Sequence, residues 1–171
     1  TRMKSKLLIT GGAGFIGSAL VREALKSEFE VLVLDALTYS GHMINLEEAQ
    51  KAPGFTFIQG NICDGVLVEK ILFEFAPNFT MHLAAESHVD NSIEGPLPFL
   101  ETNVGGTFNL LEKSRKYFEG LSPEGKAQFR FLQMSTDEVF GELGDDGAFS
   151  EVTSYSPNSP YSASKASADH F

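Results

Sequence analysis

The sequence has very little sulfur chemistry available to it. Cys63 is its single cysteine, so no internal disulfide can form. That fits a reducing, cytoplasmic setting. Long apolar runs are missing as well. Stretches such as Val31-Leu32-Val33-Leu34 are far too short to cross a bilayer. The apolar run near the N-terminus stops at Thr10-Gly11-Gly12, so no signal peptide is expected there. Met3 reads as a native start, with Thr1 and Arg2 as added residues. Cations are scarce: 13 Lys and Arg face 23 Asp and Glu, a net charge of −10. Such a field does not draw in nucleic acid or an anionic membrane. It still permits a local anion site at a helix N-terminus. No residues have metal-ligand spacing, so no catalytic metal is expected. There is no repeat and no low-complexity tract.

The 171 residues suffice for one domain with a real core. Strands are expected at Lys6–Thr10, Glu30–Leu34, Phe55–Gln59, Phe79–Leu83 and Phe129–Ser135. Glu30–Leu34 is apolar on consecutive positions, like a strand buried on both faces. Phe15–Lys26 has apolar residues at helical spacing. Asn45–Lys51 reads as a weak helix, Val66–Phe75 as a helix capped by Asp64, and Pro96–Phe118 as a long helix. Gly105-Gly106 inside it predicts close packing. A loop rich in Gly, Ser and Pro spans Gly141–Pro160. A last helix starts near Tyr161 and is expected to run to the final residue. Alternating strands and helices predict an α/β fold with a doubly wound parallel sheet, of the kind that binds dinucleotides.

The link from first strand to first helix carries glycines at 11, 14 and 17. Gly11 permits a tight turn, Gly14 lets backbone approach a pyrophosphate, and Gly17 lets the helix pack on the sheet. Between a strand and a helix, this pattern points to a dinucleotide. The alternative is an ordinary glycine-rich turn. Asp35 follows the second strand, where an acid can accept hydrogen bonds from ribose hydroxyls and repel a 2′-phosphate. NAD is therefore favoured over NADP. The plainer reading makes Asp35 a strand-end turn residue.

Tyr161 and Lys165 stand four residues apart, on one face of a helix. A nearby ammonium stabilises a phenolate and fits the tyrosine for proton transfer. A solvated helix face would look the same. Thr136, Asp137 and Glu138 follow the fifth strand, where open α/β sheets place ligands. Adjacent acids can divide acid and base roles, or they can be solvated members of a capped turn. His82, among apolar residues, reads as a packed histidine; His88 and Asp90 fit either substrate positioning or a turn.

These residues resemble the dTDP-glucose 4,6-dehydratase family of the extended short-chain dehydrogenase/reductases. The resemblance rests on Thr10–Gly17, Leu37–Gly41, His82–Asp90, Thr102-Asn103-Val104 with Gly106-Thr107, Ser135–Gly141 and Ser159–His170, spread over nearly the whole chain. Asp137-Glu138 is the specific part, since epimerases of the superfamily differ there. The resemblance implies an NAD site formed by Gly11, Gly14, Phe15, Ile16, Gly17, Asp35, Ala36, Leu37, Thr38, Asn61, Ile62, Leu83, Ala84, Ala85 and Thr102, with Tyr161 and Lys165. Asn61 stands where the family usually has aspartate; Phe140 replaces a commoner tyrosine, as a packing change; Asn91 stands where arginine is frequent. Ser87 and Thr136 are implied to contact a sugar nucleotide.

The implied reaction oxidises C4 with Tyr161 as base and Lys165 as its support. Glu138 then takes the C5 proton while Asp137 helps the C6 hydroxyl leave, and hydride returns to C6 and a proton to C5. Relatives form homodimers through the long helix and the Tyr161 helix. They are about twice as long, with a substrate domain after the NAD-binding part. Residues 1–171 are accordingly expected to be an incomplete NAD-binding domain. Two other readings stay open: a dehydratase of another sugar nucleotide such as UDP-glucose, and a non-catalytic NAD-binding fragment.

Overall fold

A computed structural model describes residues 4–171, so the reading of Thr1, Arg2 and Met3 lies outside the described residues. In chain order the regular elements are β1 (Lys6–Thr10), α1 (Phe15–Lys26), β2 (Glu30–Asp35), β3 (Phe55–Gln59), α2 (Gly65–Phe75) and β4 (Phe79–His82). They continue with α3 (Val89–Glu94), α4 (Leu97–Phe99), a π-helical segment (Leu100–Gly106), α5 (Thr107–Glu119), α6 (Pro123–Gln128), β5 (Arg130–Gln133) and α7 (Pro160–Asp169). By internal contacts the chain divides into two compact units. One comprises the residues up to Ala84 with Asn109–Met134; the other comprises Ala85–Phe108 with Ser135–Phe171.

The first unit holds a parallel sheet in the order β3-β2-β1-β4-β5. Its strands are apolar on both faces because helices cover both. Leu7, Ile9, Val31 and Val33 point to one side and pack with Val21 and Ala24 of α1. Leu8, Leu32 and Leu34 point to the other and pack with Val68, Ile71 and Leu72 of α2 and with Leu110 and Tyr117 of α5. The strand order reverses between β1 and β4, and ligands of such sheets sit outside the carboxyl ends at that point. The α1 side is not covered to its edge. A largely apolar recess of about 350 Å³ lies beside Leu20, Ala24, Phe79, Met81 and Leu132.

The expected strands and the helices α1, α2 and α7 are present. Asp64 caps α2, accepting from the N–H groups of Val66 and Leu67 at 3.0 Å. Four details differ. Asn45–Lys51 forms two 3₁₀ turns, Met43–Leu46 and Ala49–Lys51, neither with a side-chain cap to start a longer helix. The long helix is preceded by α3 and interrupted by the π segment that contains Gly105 and Gly106. The short helix α6 starts at Ser122, whose hydroxyl accepts from the Gly125 N–H, with Pro123 in the first turn. The last helix closes at Asp169 rather than running to Phe171.

Candidate active site

Within the first unit, the loop after β1 is shaped by close backbone approach. Gly11 has φ +73°, and a Cβ there would lie 2.6 Å from the Ala84 nitrogen. A Cβ on Gly17 would lie 2.1 Å from the Gly11 carbonyl oxygen, so α1 can start this near to β1 only with glycine. Gly14 is different. Its nearest neighbour would be 3.4 Å away, so the fold alone does not require glycine there. That is open space of the kind a pyrophosphate needs. No side chain caps α1. Its leading N–H groups, at the positive end of the helix dipole, are left for water or an anion. Phe15 and Ile16 point outward at this end and are 93% and 57% exposed.

Asp35 is buried at the end of β2. Its Oδ2 accepts from the Ala13 N–H at 2.9 Å and its Oδ1 from the Leu37 N–H at 2.8 Å. One carboxylate thus joins the loop after β1 to the loop after β2. It also holds Leu37 in a left-handed conformation, φ 54°. A carboxylate has about four acceptor sites, so capacity remains for ribose hydroxyls. Ala36 and Leu37 are half-buried and Thr38 is exposed. Asn61 is exposed, and its Oδ1 accepts from the Cys63 N–H at 2.9 Å. The Ile62 side chain is in the α2-side core, and its carbonyl accepts from Asn109 Nδ2 at 2.6 Å. Thr10 Oγ1 lies 2.6 Å from His82 Nδ1 and accepts from the Ala84 N–H at 3.2 Å. His82 is thus a packed histidine, and it helps hold the Leu83-Ala84 segment at the carboxyl end of the sheet.

The second unit carries Ala85, Ser87, Thr102, Thr136, Asp137, Glu138, Tyr161 and Lys165. Its centre is Asn103, 1% exposed, in the π segment. Asn103 accepts from the Glu86 N–H at 2.8 Å and donates to the Glu86 carbonyl and to Ser164 Oγ, both at 2.9 Å. The amide therefore fixes the segment of Ala85 and Ser87 against α7. Sequence reading gave Asn103 no role, because its partners are remote in the chain.

Helix α7 begins with a capping box. Ser159 and Ser162 each bond the other's backbone N–H, and Pro160 occupies the first turn. Tyr161 follows at once. Its N–H donates to Ser92 Oγ at 3.2 Å, and its ring meets Phe99 edge-on at 6.4 Å. Lys165, one turn later, is 5% exposed. Burial pushes its pKa below the ordinary lysine value, and the Asp169 carboxylate partly opposes this. Thr136 caps a 3₁₀ turn, Asp137–Phe140, by accepting from the Glu138 N–H at 3.3 Å. Asp137 is exposed and Glu138 half-buried, while Val139 anchors the turn in the interior. Phe140 packs against Phe149 and Tyr155, with ring centroids at 5.4 and 5.3 Å. His88 precedes α3 and Asp90 lies in its first turn.

A buried lysine with a lowered pKa has a testable signature. Between that lowered value and 10.5 the unfolded chain binds more protons than the folded one, so stability rises with pH. Unfolding free energies of the wild type and Lys165→Met, compared from pH 7 upward, are expected to shift in favour of the wild type. The slope is bounded by about 1.4 kcal/mol per pH unit. A difference that stays flat or falls would contradict the burial penalty.

The chain is similar to a dTDP-glucose 4,6-dehydratase of Xanthomonas campestris pv. campestris (strain B100), 52% identical over 163 residues, with 95% of this chain and 46% of the relative covered. It is 49% identical to a dTDP-glucose 4,6-dehydratase of Escherichia coli, covering 96% of this chain and 48% of that one. Its fold matches the crystal structure of the dTDP-glucose 4,6-dehydratase of Streptomyces venezuelae, solved with NAD bound. That match has a TM-score of 0.86 and 42% identity over 96% of this chain and 49% of that chain. The chain thus spans about half the length of the relatives it matches. The profile of the GDP-mannose 4,6 dehydratase family matches residues 8–171, and the chain belongs to that family.

Proposed function

We propose that this chain is the NAD-binding part of a dTDP-glucose 4,6-dehydratase, carrying the groups for oxidation at C4, loss of water across C5–C6 and hydride return to C6. The observation that carries the proposal is one compact unit holding both Tyr161 and Lys165 on α7 and the Asp137-Glu138 turn. The named relatives, all dTDP-glucose 4,6-dehydratases, support the substrate. The residues fit NAD. Gly14 leaves room, α1 lacks a cap, and Asp35 retains acceptor capacity. Bound NAD supplies a hydride acceptor at C4 and the hydride that returns to C6. Tyr161 takes the O4 proton, and Lys165 favours its phenolate. Thr136 and Ser87 hold the sugar nucleotide. Glu138 removes the C5 proton, made acidic by the neighbouring ketone, and Asp137 protonates the departing C6 hydroxyl.

The chain is also proposed to dimerise with a second copy and to work in the cytoplasm. Ile93, Leu97, Leu100 and Phe108, in the segment from α3 to α5, are all exposed apolar side chains. Exposed apolar surface of this kind favours association. Among the described residues no helix is long and apolar enough to cross a membrane.

Calorimetric titration tests the cofactor reading. NAD is expected to bind, and NADP at least about tenfold more weakly, because Asp35 repels the 2′-phosphate. Equal affinity, or no binding of NAD, refutes it. Sedimentation of the same samples is expected to show a dimer. The 171 residues alone are expected not to convert dTDP-glucose. Turnover by the chain alone would show that the second half of the relatives is dispensable.

A further inference from the structure

Asp169 is the last residue of α7, where the helix dipole disfavours an anion. Two hydroxyls from distant segments converge on one of its oxygens. Ser135 Oγ and Tyr155 OH both donate to Asp169 Oδ2, the latter at 3.1 Å. Ser135 directly precedes the Thr136-capped turn of Asp137 and Glu138. Tyr155 belongs to the long loop that leads from this turn to α7. Its ring meets Phe140, the last residue of the turn, edge-on at 5.3 Å, and lies 5.1 Å from His170. The Ser156 N–H donates to the Val139 carbonyl at 2.9 Å, which binds loop to turn by backbone as well. The acid-bearing turn is thereby held at its start through Ser135 and at its end through Phe140 and Tyr155. Both ends are tied to the residue that closes the helix of Tyr161 and Lys165.

We infer that Asp169 is a positioning residue whose carboxylate latches the Asp137-Glu138 turn and the following loop to the helix that carries Tyr161 and Lys165. The catalytic meaning of the latch rests on the dehydratase reading above; the latch itself rests on geometry. Hydrogen bonds to an ionised acceptor are stronger than neutral ones. A single carboxylate can therefore serve two donors at a half-exposed site. Burial raises the Tyr155 pKa, and the same charge raises it further through its hydrogen bond and by repulsion of the phenolate. It also opposes the loss of charge at Lys165. His170 is the other titratable group seen against Tyr155.

The test needs neither substrate nor cofactor. Amide hydrogen exchange and phenol titration are measured on the 171-residue chain, with Tyr155→Phe assigning the Tyr155 transition. Asp169→Ala is expected to speed exchange in residues 135–141 and 150–157 at least about tenfold, with β1–β4 unchanged. Tyr155 should titrate at lower pH. Asp169→Asn keeps an acceptor oxygen and removes the charge. It should leave exchange within about threefold of wild type while still lowering the Tyr155 transition. Unchanged exchange in Asp169→Ala overturns the latch, as does an unmoved Tyr155 transition in Asp169→Asn. If Asp169→Ala does not fold, the asparagine variant alone decides by the Tyr155 transition. A chain that fails to bind NAD but shows these changes refutes the functional reading and leaves the latch standing.

Discussion

Gly17→Ala is expected to lower the unfolding free energy by about 3–5 kcal/mol, a large share of what a domain of this size has. The added Cβ would sit 2.1 Å from the Gly11 carbonyl oxygen, 2.8 Å from Gly12 Cα and 2.9 Å from the Gly11 carbonyl carbon. All three are backbone atoms, so no side chain can rotate away. Relief requires α1 to lift from β1 by about 1 Å, which forfeits much of the dispersion energy at that contact. Val21 and Ala24 would lose their packing on Ile9 and Val33, and cores transmit such shifts poorly. Denaturation by urea, followed by circular dichroism, measures the loss.

Gly14→Ala is the control, because its Cβ would meet the Gly11 carbonyl oxygen at an ordinary 3.4 Å. Gly14 also has an extended backbone, φ −78°, that alanine accepts. Its stability is expected within about 1 kcal/mol of wild type. NAD affinity is expected to fall, since the added methyl occupies the space read as the pyrophosphate position. Equal losses of stability in the two variants would mean that the loop glycines do not divide between fold and ligand.

The layout of the sheet was legible because each strand is short, apolar and bounded by turn residues. Glu30–Leu34 reads as buried on both faces; Val31–Leu34 is so, while Glu30 is only half-buried. The cap Asp64 was legible because N-capping is local, with partners two and three residues on. Contacts between remote segments were not. The glycines at 11, 14 and 17 stand out by spacing, but Gly12 does not. A Cβ there would lie 2.7 Å from both methyls of Val33, a residue of the next strand. The π segment was hidden because its apolar spacing resembles that of an α-helix; only Gly105-Gly106 hinted at irregularity. Asn103, which fills that segment, bonds Glu86 and Ser164, neither close in sequence. For the same reason Asp169 passed as an ordinary residue of the last helix.

Asp35 shows how a functional expectation can leave out half of a residue's work. If it served only to receive a ribose, Asp35→Ala would leave the ligand-free chain as stable as before. The structure predicts otherwise. Its carboxylate receives two N–H groups, of Ala13 and Leu37. Ala13 is fully buried, so its N–H gains no water in exchange, whereas that of Leu37 is half-buried. An unpaired buried donor costs about 1–3 kcal/mol. Leu37 can leave its left-handed conformation once released, which returns about 1 kcal/mol of strain. Asp35→Ala should therefore cost about 2–4 kcal/mol without any ligand. Asp35→Asn keeps one acceptor and sets an amide N–H₂ against the other donor, so it should fall between the two. The partition can be checked with Leu37→Gly, because glycine accepts φ 54° without strain. In that background there is no strain left to return, so Asp35→Ala should cost more, by at least about 0.5 kcal/mol. Full additivity of the two substitutions would show that Asp35 stabilises the loops without restraining Leu37. An Asp35→Ala chain of wild-type stability that has lost NAD would return the residue to a purely ligand-binding role.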